Sequence, residues 1–348
     1  MTSDASLRGS DQMSRGDRDS DMLAAVLALP DQLRRAAVQP PVALDSASYT
    51  NLVVLGMGGS GISGDVAAAV LGEECALPIV VVKEGRVPAF VGKGSLVVAA
   101  SYSGNTAETL AGCAESMRRG AEVACVCSGG DLLDLAQKNG FPLVTVPGGM
   151  QPRAAIGYLA VATSSLLAAA AEISITEQVR EAIEILDGLA AEMAPGASET
   201  DNSAMALARR MIGKVPVVYG GSRVAAVAAN RWKCQLNENS KVPAFRNEYP
   251  EMGHNEIVGW SEGNPLRSAA LLVALRDRGA ENPGFDVALD ISREGAAGLV
   301  EISSQGVTAL ARFFSLAYFG DFVSVYLALA RGIDPTPVEA IGRLKSRQ

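Results

Sequence analysis

The residues best suited to acid/base chemistry lie close together in the stretch 235–260, QLNENSKVPAFRNEYPEMGHNEIVGW. Glu238 is one of several acids in this stretch, and His254 is the only histidine in the chain. A carboxylate can move a proton between neighbouring carbon atoms, and an imidazole titrates near neutral pH. His254 stands between Gly253 and Asn255 in polar surroundings, which favours a functional role over a position in an apolar core. We therefore predict acid/base catalysis by Glu238 and His254.

The same residues argue against a metal centre. A single histidine cannot supply a multi-histidine site, and few thiols lie near it, so a zinc site is not expected. The cysteines are odd in number and lie in apolar surroundings, which favours buried free thiols over disulfides. They are Cys75, Cys113, Cys125, Cys127 and Cys234.

Two turns rich in small residues follow short apolar segments and are suited to phosphate binding. The first is GMGGSGISGD and the second is SYSGNTAET. The second turn contains Ser101, Ser103, Asn105 and Thr106, which would face the crevice at the carboxyl ends of parallel strands. Hydroxyl and amide donors at a positive helix end suit a phosphate monoester. A helix cap needs only one such residue, so we favour phosphate binding over capping alone.

The first turn also matches the dinucleotide pattern G-x-G-x-x-G over residues 56–61, and Glu84 lies near the position of a ribose-binding acid. Taken alone, this match favours an NAD-dependent oxidoreductase. That interpretation leaves the SYSGNT turn and the stretch 235–260 unexplained. We expect the loop to continue through Ser60 and Ser63, whose hydroxyls add to the backbone N–H groups and favour a phosphate ligand.

Positioning these turns requires an α/β framework. Short apolar segments separated by helical segments predict a parallel sheet covered on both faces. The predicted strands of the first half are 52–55, 79–82, 96–100, 123–126 and 143–146, and those of the second half are 215–219, 269–275 and 299–302.

The pattern of strand, small-residue turn and Ala-rich helix recurs at VPVVYGGSRVAAVAANRWK, which indicates an internal duplication. Turn and capping residues at Ala194–Ala204 mark the boundary between the copies. We predict two doubly wound α/β domains, at residues 21–193 and 194–348, each a parallel sheet flanked by helices. Residues 1–20 read as a disordered tail.

Composition narrows the choice of partners. The formal net charge of −8 and the pI of about 4.9 argue against nucleic acid, which needs a basic face. The apolar run 155–171 is short for a membrane span and contains Gly, Thr and Ser, so a buried core helix explains it better. The N-terminus has no apolar segment typical of a signal peptide, and we expect a cytoplasmic protein.

Motifs from residue 50 to the end together resemble the bifunctional phosphoglucose/phosphomannose isomerase family: GMGGSGISGD, SYSGNTAET, PRAAIGY, NENSKVPAFRNE, GHNE and DPTPVEAIGRLK. The first two are shared by sugar-isomerase (SIS) domains generally, whereas the NEN–K–P…HNE block and the C-terminal helix are more specific. The resemblance implies two SIS-type domains in a homodimer. It also implies interconversion of glucose 6-phosphate and/or mannose 6-phosphate with fructose 6-phosphate through a cis-enediol, without metal or cofactor.

The resemblance assigns roles to individual residues. Glu238 corresponds to the proton-transferring base, and His254 to the ring-opening residue, which the partner subunit contributes. Arg153 corresponds to the arginine near the enediolate, whose developing oxyanion needs a fixed positive charge, and Lys345 to a C-terminal active-site lysine. The phosphate-binding positions are Gly59, Ser60, Ser101, Ser103 and Thr106. If Glu238 is not the base, the next candidates are Glu248, Glu251 and Glu256.

Two alternatives to the isomerase stay open on sequence grounds. One is a non-catalytic SIS protein that binds sugar phosphates, and the other is the NAD-dependent oxidoreductase. The preference between glucose and mannose is also open, because these C2 epimers differ in the orientation of one hydroxyl. Glu238, His254 and the absence of a basic helix-turn-helix-like segment in the sequence favour the isomerase.

Overall fold

The structure, a computed structural model, describes residues 21–39, 44, 49–197, 202–261, 263–280 and 282–347. The predicted disordered tail, residues 1–20, lies outside these ranges. Helices α1 (Asp21–Leu27) and α2 (Leu29–Ala37) come first. The break between α1 and α2 falls at Ala28, and Pro30 lies in the first turn of α2, where its missing N–H costs little.

The first sheet contains five parallel strands in the order β2-β1-β3-β4-β5. The strands are β1 (Asn51–Leu55), β2 (Ile79–Val82), β3 (Ser95–Ser101), β4 (Glu122–Cys127) and β5 (Leu143–Thr145). The helices of this half are α3 (Gly58–Leu71), α4 (Ala107–Arg118), α5 (Gly130–Asn139), α6 (Ile156–Ala170) and α7 (Thr176–Met193), with a 3-10 turn at Pro152–Ala155. All five strands were predicted from their apolar residues, because helices bury both faces of the sheet.

The second sheet contains four parallel strands in the order β7-β6-β8-β9. The strands are β6 (Val215–Gly220), β7 (Phe245–Glu248), β8 (Ala270–Arg276) and β9 (Gly298–Ser303). The helices are α8 (Ser203–Arg210), α9 (Arg223–Glu238), α10 (Pro283–Glu294), α11 (Ala309–Ala330) and α12 (Glu339–Lys345), with 3-10 turns at Glu251–His254 and Glu256–Trp260. The predicted α/β architecture with two parallel sheets flanked by helices is confirmed.

The loop predicted to extend from residue 56 through Ser63 is wrong, because helix α3 begins at Gly58. Ser63 is buried on this helix; its hydroxyl donates to the carbonyl oxygen of Ser60 and lies 3.1 Å from Thr163 Oγ1 of α6. It therefore faces a neighbouring helix instead of the crevice. Glycine also lets α3 approach β1 closely, since a Cβ at Gly64 would lie 2.9 Å from Val54 Cγ1 of β1.

One large apolar core joins the two halves, with buried residues from α1 through α11. In the described ranges, two segments are apolar and long enough to cross a membrane: Pro152–Ala170 and Ala309–Ala330. However, 78% and 89% of their most apolar windows are buried inside the protein, which is typical of core helices. The predicted boundary near Ala194 stays a prediction, since this core lies on both sides of it. The cysteines are free thiols; Cys113, Cys125 and Cys127 are buried as predicted, whereas Cys75 and Cys234 are half-buried.

Helices α9 and α11 pack closely because Gly320 lacks a side chain. A Cβ at this position would lie 2.3 Å from Nε1 of the buried Trp232, which donates a hydrogen bond to the carbonyl oxygen of Leu316. We predict that Gly320→Ala lowers the free energy of unfolding by ~1–3 kcal/mol through overpacking. The control is Gly188→Ala on the exposed face of α7, which should stabilise by up to ~1 kcal/mol through helix propensity.

Urea unfolding followed by circular dichroism measures both changes. Equal unfolding midpoints for the two variants would show that the contact between α9 and α11 tolerates a methyl group.

Candidate active site

Arg153 lies at the centre of the candidate site and is only 5% exposed. Its Nε donates to Asn239 Oδ1 at 2.7 Å, and its Nη2 donates to the carbonyl oxygens of Pro335 at 2.9 Å and Thr336 at 2.8 Å. Its Nη1 lies 3.6 Å from Glu238 Oε2. The guanidinium therefore connects the end of α9 with the segment before α12, and directs one nitrogen at a carboxylate.

Glu238 is the last residue of α9, and its side chain is 30% exposed. A substrate can therefore reach the carboxylate of Glu238, whereas the neighbouring guanidinium of Arg153 is buried. Burial lowers the pKa of Arg153, and the charge of Glu238 opposes that change. The guanidinium stays protonated, because arginine does not lose its proton in proteins. The pair can thus accept a proton and stabilise a nearby negative charge.

The amino end of α3 lies against the residues that carry Arg153. A Cβ at Gly59 would lie 3.1 Å from the carbonyl oxygen of Pro152, so only glycine fits without displacing that backbone. Ser60 is buried, and its Oγ accepts a hydrogen bond from the backbone N–H of Tyr102 at 3.1 Å. This bond connects the turn after β1 with the turn after β3. The structure therefore brings the two predicted phosphate turns together beside Arg153.

The turn after β3 keeps its hydroxyls away from the backbone of α4. Ser101 is buried, with its Oγ 2.9 Å from Thr106 Oγ1, and Ser103 is exposed. Thr106 precedes α4, but its side chain makes no capping hydrogen bond within the described structure. The first N–H groups of α4 consequently lack a side-chain partner and can donate to an anion.

A buried ion pair between α9 and α11 contacts the backbone of Arg153. Arg231 Nη2 lies 2.7 Å from Asp321 Oδ2 and also donates to the carbonyl oxygen of Arg153 at 3.1 Å. Gln235 donates to the other oxygen of Asp321 at 3.0 Å. Burial raises the pKa of Asp321, and the charge of Arg231 opposes that change. The sequence analysis missed this pair, although Asp321 stands out as the only acid in the apolar helix α11.

Lys241 was also missed, although it belongs to the quoted motif NENSK. Its Nζ donates to the carbonyl oxygens of Pro335 at 3.3 Å and Asn239 at 3.5 Å, and to that of Glu238. Burial lowers the pKa of Lys241, and the positive charge of Arg153 adds to the effect. Lys241 and Arg153 therefore share the Pro335 carbonyl and fix the C-terminal segment against the end of α9.

His254 lies on a different part of the chain from this cluster. It is exposed, and no hydrogen bond or ion pair within the described residues joins it to Arg153 or Glu238. The segment around it is firmly anchored, because Tyr219 donates to Glu256 and accepts from Trp260 Nε1 at 2.7 Å. Within the described residues, the chain therefore makes no direct contact of this kind between His254 and Glu238.

Two other predicted residues, Glu256 and Lys345, are not shown in contact with Arg153 or Glu238 within the described residues. Glu256 accepts hydrogen bonds from Tyr219 and from Asn247, the latter at 2.6 Å, so this alternative base is occupied. Burial raises the pKa of Tyr219, and Glu256 adds to the effect. Lys345 ends α12, but its side chain lies outside the part that the structure describes. Across the described residues, His, Cys, Asp and Glu side chains form no group of three suited to a metal ion.

Comparison with known proteins adds to this geometry. Residues 200–347 match the model of the bacterial phospho-glucose isomerase C-terminal SIS domain. A bifunctional phosphoglucose/phosphomannose isomerase from Caldicellulosiruptor bescii is 35% identical over 333 residues, which covers 94% of this chain and 98% of that protein. The chain belongs to the bifunctional phosphoglucose/phosphomannose isomerase family. The resemblance predicted from the motifs is confirmed.

Further relatives agree with the assignment. A family member from Aquifex aeolicus is 35% identical over 311 residues, covering 87% of this chain and 92% of that protein. Among solved structures, the C-terminal domain of glucosamine-fructose-6-phosphate aminotransferase from Francisella tularensis superposes with a TM-score of 0.68. The superposition covers 93% of this chain and 100% of that chain at 17% sequence identity, which shows a shared fold.

We predict that Arg153→Lys loosens the C-terminal segment, since an ammonium cannot bind Asn239, Pro335 and Thr336 together. Each lost hydrogen bond from a charged donor costs about 1.5–3 kcal/mol, so amide hydrogen exchange in residues 333–347 should accelerate by at least ~10-fold. The control is Arg180→Lys, an exposed change on α7. Mass-spectrometric hydrogen exchange that is equal in both variants would contradict this role.

Proposed function

We propose that the protein interconverts glucose 6-phosphate and/or mannose 6-phosphate with fructose 6-phosphate by metal-free proton transfer through a cis-enediol. The Arg153–Glu238 pair, with 3.6 Å between Nη1 and Oε2, is the observation that carries the proposal. Family membership supports it, because the relatives are named as isomerases. It also disfavours the two alternatives, a non-catalytic binding protein and an NAD-dependent oxidoreductase. We expect the enzyme to act on soluble sugar phosphates in the cytoplasm.

In the proposed reaction, Glu238 removes a proton from one of the two carbons C1 and C2 and returns it to the other. The negative charge that develops on the adjacent oxygen lies near Arg153, which stabilises the enediolate. Arg153 is suited to this role because its hydrogen bonds to Asn239, Pro335 and Thr336 fix the guanidinium before the substrate arrives. Little reorganisation is then needed as charge develops.

We place the substrate phosphate between the turns that follow β1 and β3. Its oxygens would accept from the hydroxyl of Ser103, from Ser60, and from the uncapped N–H groups at the amino end of α4. The close approach of Gly59 to Pro152 supports this position, since it sets the phosphate near Arg153.

We further propose that His254 of a second subunit opens the sugar ring in each site of a homodimer. Two observations support this arrangement: His254 is exposed on an anchored segment, and no hydrogen bond or ion pair within the described residues joins it to Glu238. A groove of about 580 Å³ is lined by four apolar residues of the following segment and of α10, and by Ser261, Arg267 and Glu294; Val258 in this groove is 73% exposed. A second copy of the chain would cover this apolar surface on association.

We predict that Ser103→Ala and Thr106→Ala mainly raise KM for hexose 6-phosphates. Losing a hydrogen bond to a charged group costs about 1.5–3 kcal/mol, or roughly ten- to a hundredfold in affinity. A coupled assay of fructose 6-phosphate formation from each hexose 6-phosphate measures the change and also the sugar preference. Ser174→Ala, an exposed serine between α6 and α7, serves as the control. An unchanged KM in both variants would contradict the placement of the phosphate in this turn.

Subunit complementation tests the shared site. We predict that Glu238→Gln and His254→Ala are each inactive on cyclic hexose phosphates as separate homodimers. After co-refolding in equal amounts, activity should recover to about one quarter of wild type, because half of the dimers are mixed and each has one intact site. Recovery fails if His254 acts on Glu238 of its own chain.

The separate variants distinguish the two chemical roles. Glu238→Gln should lose exchange of the substrate C2 hydrogen with solvent deuterium, because an amide cannot accept that proton. His254→Ala should keep measurable turnover of an open-chain sugar phosphate, since ring opening is bypassed. Equal loss of activity on cyclic and open-chain substrates in both variants, with folding intact by circular dichroism, would refute this division of roles.

A further inference from the structure

The second sheet repeats the connectivity of the first. Strands β6, β7, β8 and β9 occupy the places of β1, β2, β3 and β4 in the two strand orders. The registers also correspond: Leu55 at the end of β1 pairs with Ala99, and Gly220 at the end of β6 pairs with Leu275. The carboxyl ends of the two sheets can therefore be compared position by position.

Asp277 stands at the position that Ser101 occupies in the first sheet. Each lies two residues beyond the strand pairing just described (101 − 99 and 277 − 275). The turns that follow have the same length, because the N-cap of α4 is Thr106 and that of α10 is Asn282 (106 − 101 and 282 − 277). The second sheet thus contains a copy of the turn to which we assign the phosphate.

The copy has lost every proposed phosphate-binding residue. With α3 and α9 aligned at their N-caps, Met57 and Ser222, the positions of Gly59, Ser60, Ser101, Ser103 and Thr106 are taken by Val224, Ala225, Asp277, Gly279 and Asn282. Four serine or threonine hydroxyls are missing, three of them in the turn after β8 and one on α9, and a carboxylate has been introduced.

The carboxylate of Asp277 is buried, at 3% exposure, among groups that would bind an anion. One oxygen accepts from Ser222 Oγ at 2.7 Å, and the other accepts from the Gly279 N–H at 3.1 Å. Arg312 Nε lies 2.6 Å from this second oxygen. A hydroxyl at a helix N-terminus, a backbone N–H and a guanidinium are the partners that a bound phosphate uses.

The N-termini of the helices that follow the strands also differ between the two sheets. Ser222 caps α9 by accepting from the N–H of Ala225, and Asn282 caps α10 by accepting from the N–H of Gly284. Within the described structure, neither α3 nor α4 has a side-chain cap. The first sheet therefore leaves N–H donors open at its crevice, whereas the second satisfies them with its own side chains.

The remaining space at the second crevice is a cleft of about 210 Å³. Of the two arginines that line it, Arg276 is already paired with Asp286 and Glu301, and Arg278 is exposed. Phe285 packs on Gly221 so closely that a Cβ at 221 would lie 2.6 Å from the ring.

We propose that Asp277 is an internal anion that occupies the second crevice, so that each chain binds one hexose phosphate, in the first crevice only. The inference rests on the proposed phosphate site in the turn Ser101–Thr106. A phosphate entering the second crevice would meet a buried negative charge in the place of the hydroxyls that the first crevice offers, which opposes binding.

Removing the internal anion should create a site for an external one. In sodium chloride, Asp277→Ala should have a lower Tm than wild type, because Arg312 loses its partner. Replacing chloride with sodium formate at equal ionic strength should raise the Tm of the variant, with a shift that grows with the logarithm of formate concentration. Wild type should show no comparable shift.

The matched control is Asp277→Ala combined with Arg312→Met, which also removes the cation and should not respond to formate. If Asp277→Ala does not fold in chloride, Asp277→Ser takes its place, since it installs the residue of the first sheet and keeps a partner for Ser222. A formate response equal to that of wild type in the folded variant would overturn the proposal.

Calorimetric titration of the wild-type protein with fructose 6-phosphate gives the second test. We expect one bound molecule per chain, and an unchanged KM in Asp277→Ser; two bound molecules per chain would overturn the inference. The two proposals fail separately, because an unchanged KM in Ser103→Ala and Thr106→Ala refutes the phosphate turn, whereas the formate comparison requires no substrate.

Discussion

Burial of the Arg153 guanidinium is the constraint on which the candidate site depends. A guanidinium removed from water must find acceptors for its N–H groups, and here they come from parts of the chain far apart in sequence. Asn239 supplies one at the end of α9, and the carbonyls of Pro335 and Thr336 supply others before α12. Arg153 therefore links the Glu238 carboxylate to the C-terminal segment, which Lys241 also holds.

Most of the framework could be predicted from the sequence, because buried parallel strands consist of short apolar runs. Two parts of it could not. Strand β7 is an edge strand with largely exposed polar residues, so it has no apolar signal. The start of α3 was misplaced because its glycines suggest a loop. Gly59, Gly61 and Gly64 instead allow the helix to approach its neighbours closely, and Gly58 has a positive φ of 53°.

The candidate site was predictable where motifs are local, and hidden where contacts are long-range. Glu238 and Arg153 were both named from motifs, and the structure brings them within 3.6 Å. Arg231 and Asp321 are 90 residues apart, and no local pattern pairs them. The predicted contribution of His254 across a subunit interface stays a prediction, and within the described residues no hydrogen bond or ion pair joins this exposed histidine to Glu238.

The single core shared by both sheets has a consequence for synthesis on the ribosome. Helix α11 packs against α7, α8 and α9, and therefore completes the core of both halves. It begins at Ala309, whereas the first sheet ends at Thr145. The apolar faces of the earlier helices therefore stay uncovered until α11 has been synthesised, although the first sheet is complete much earlier. The nascent chain thus passes through a long interval in which chaperone binding competes with non-native association.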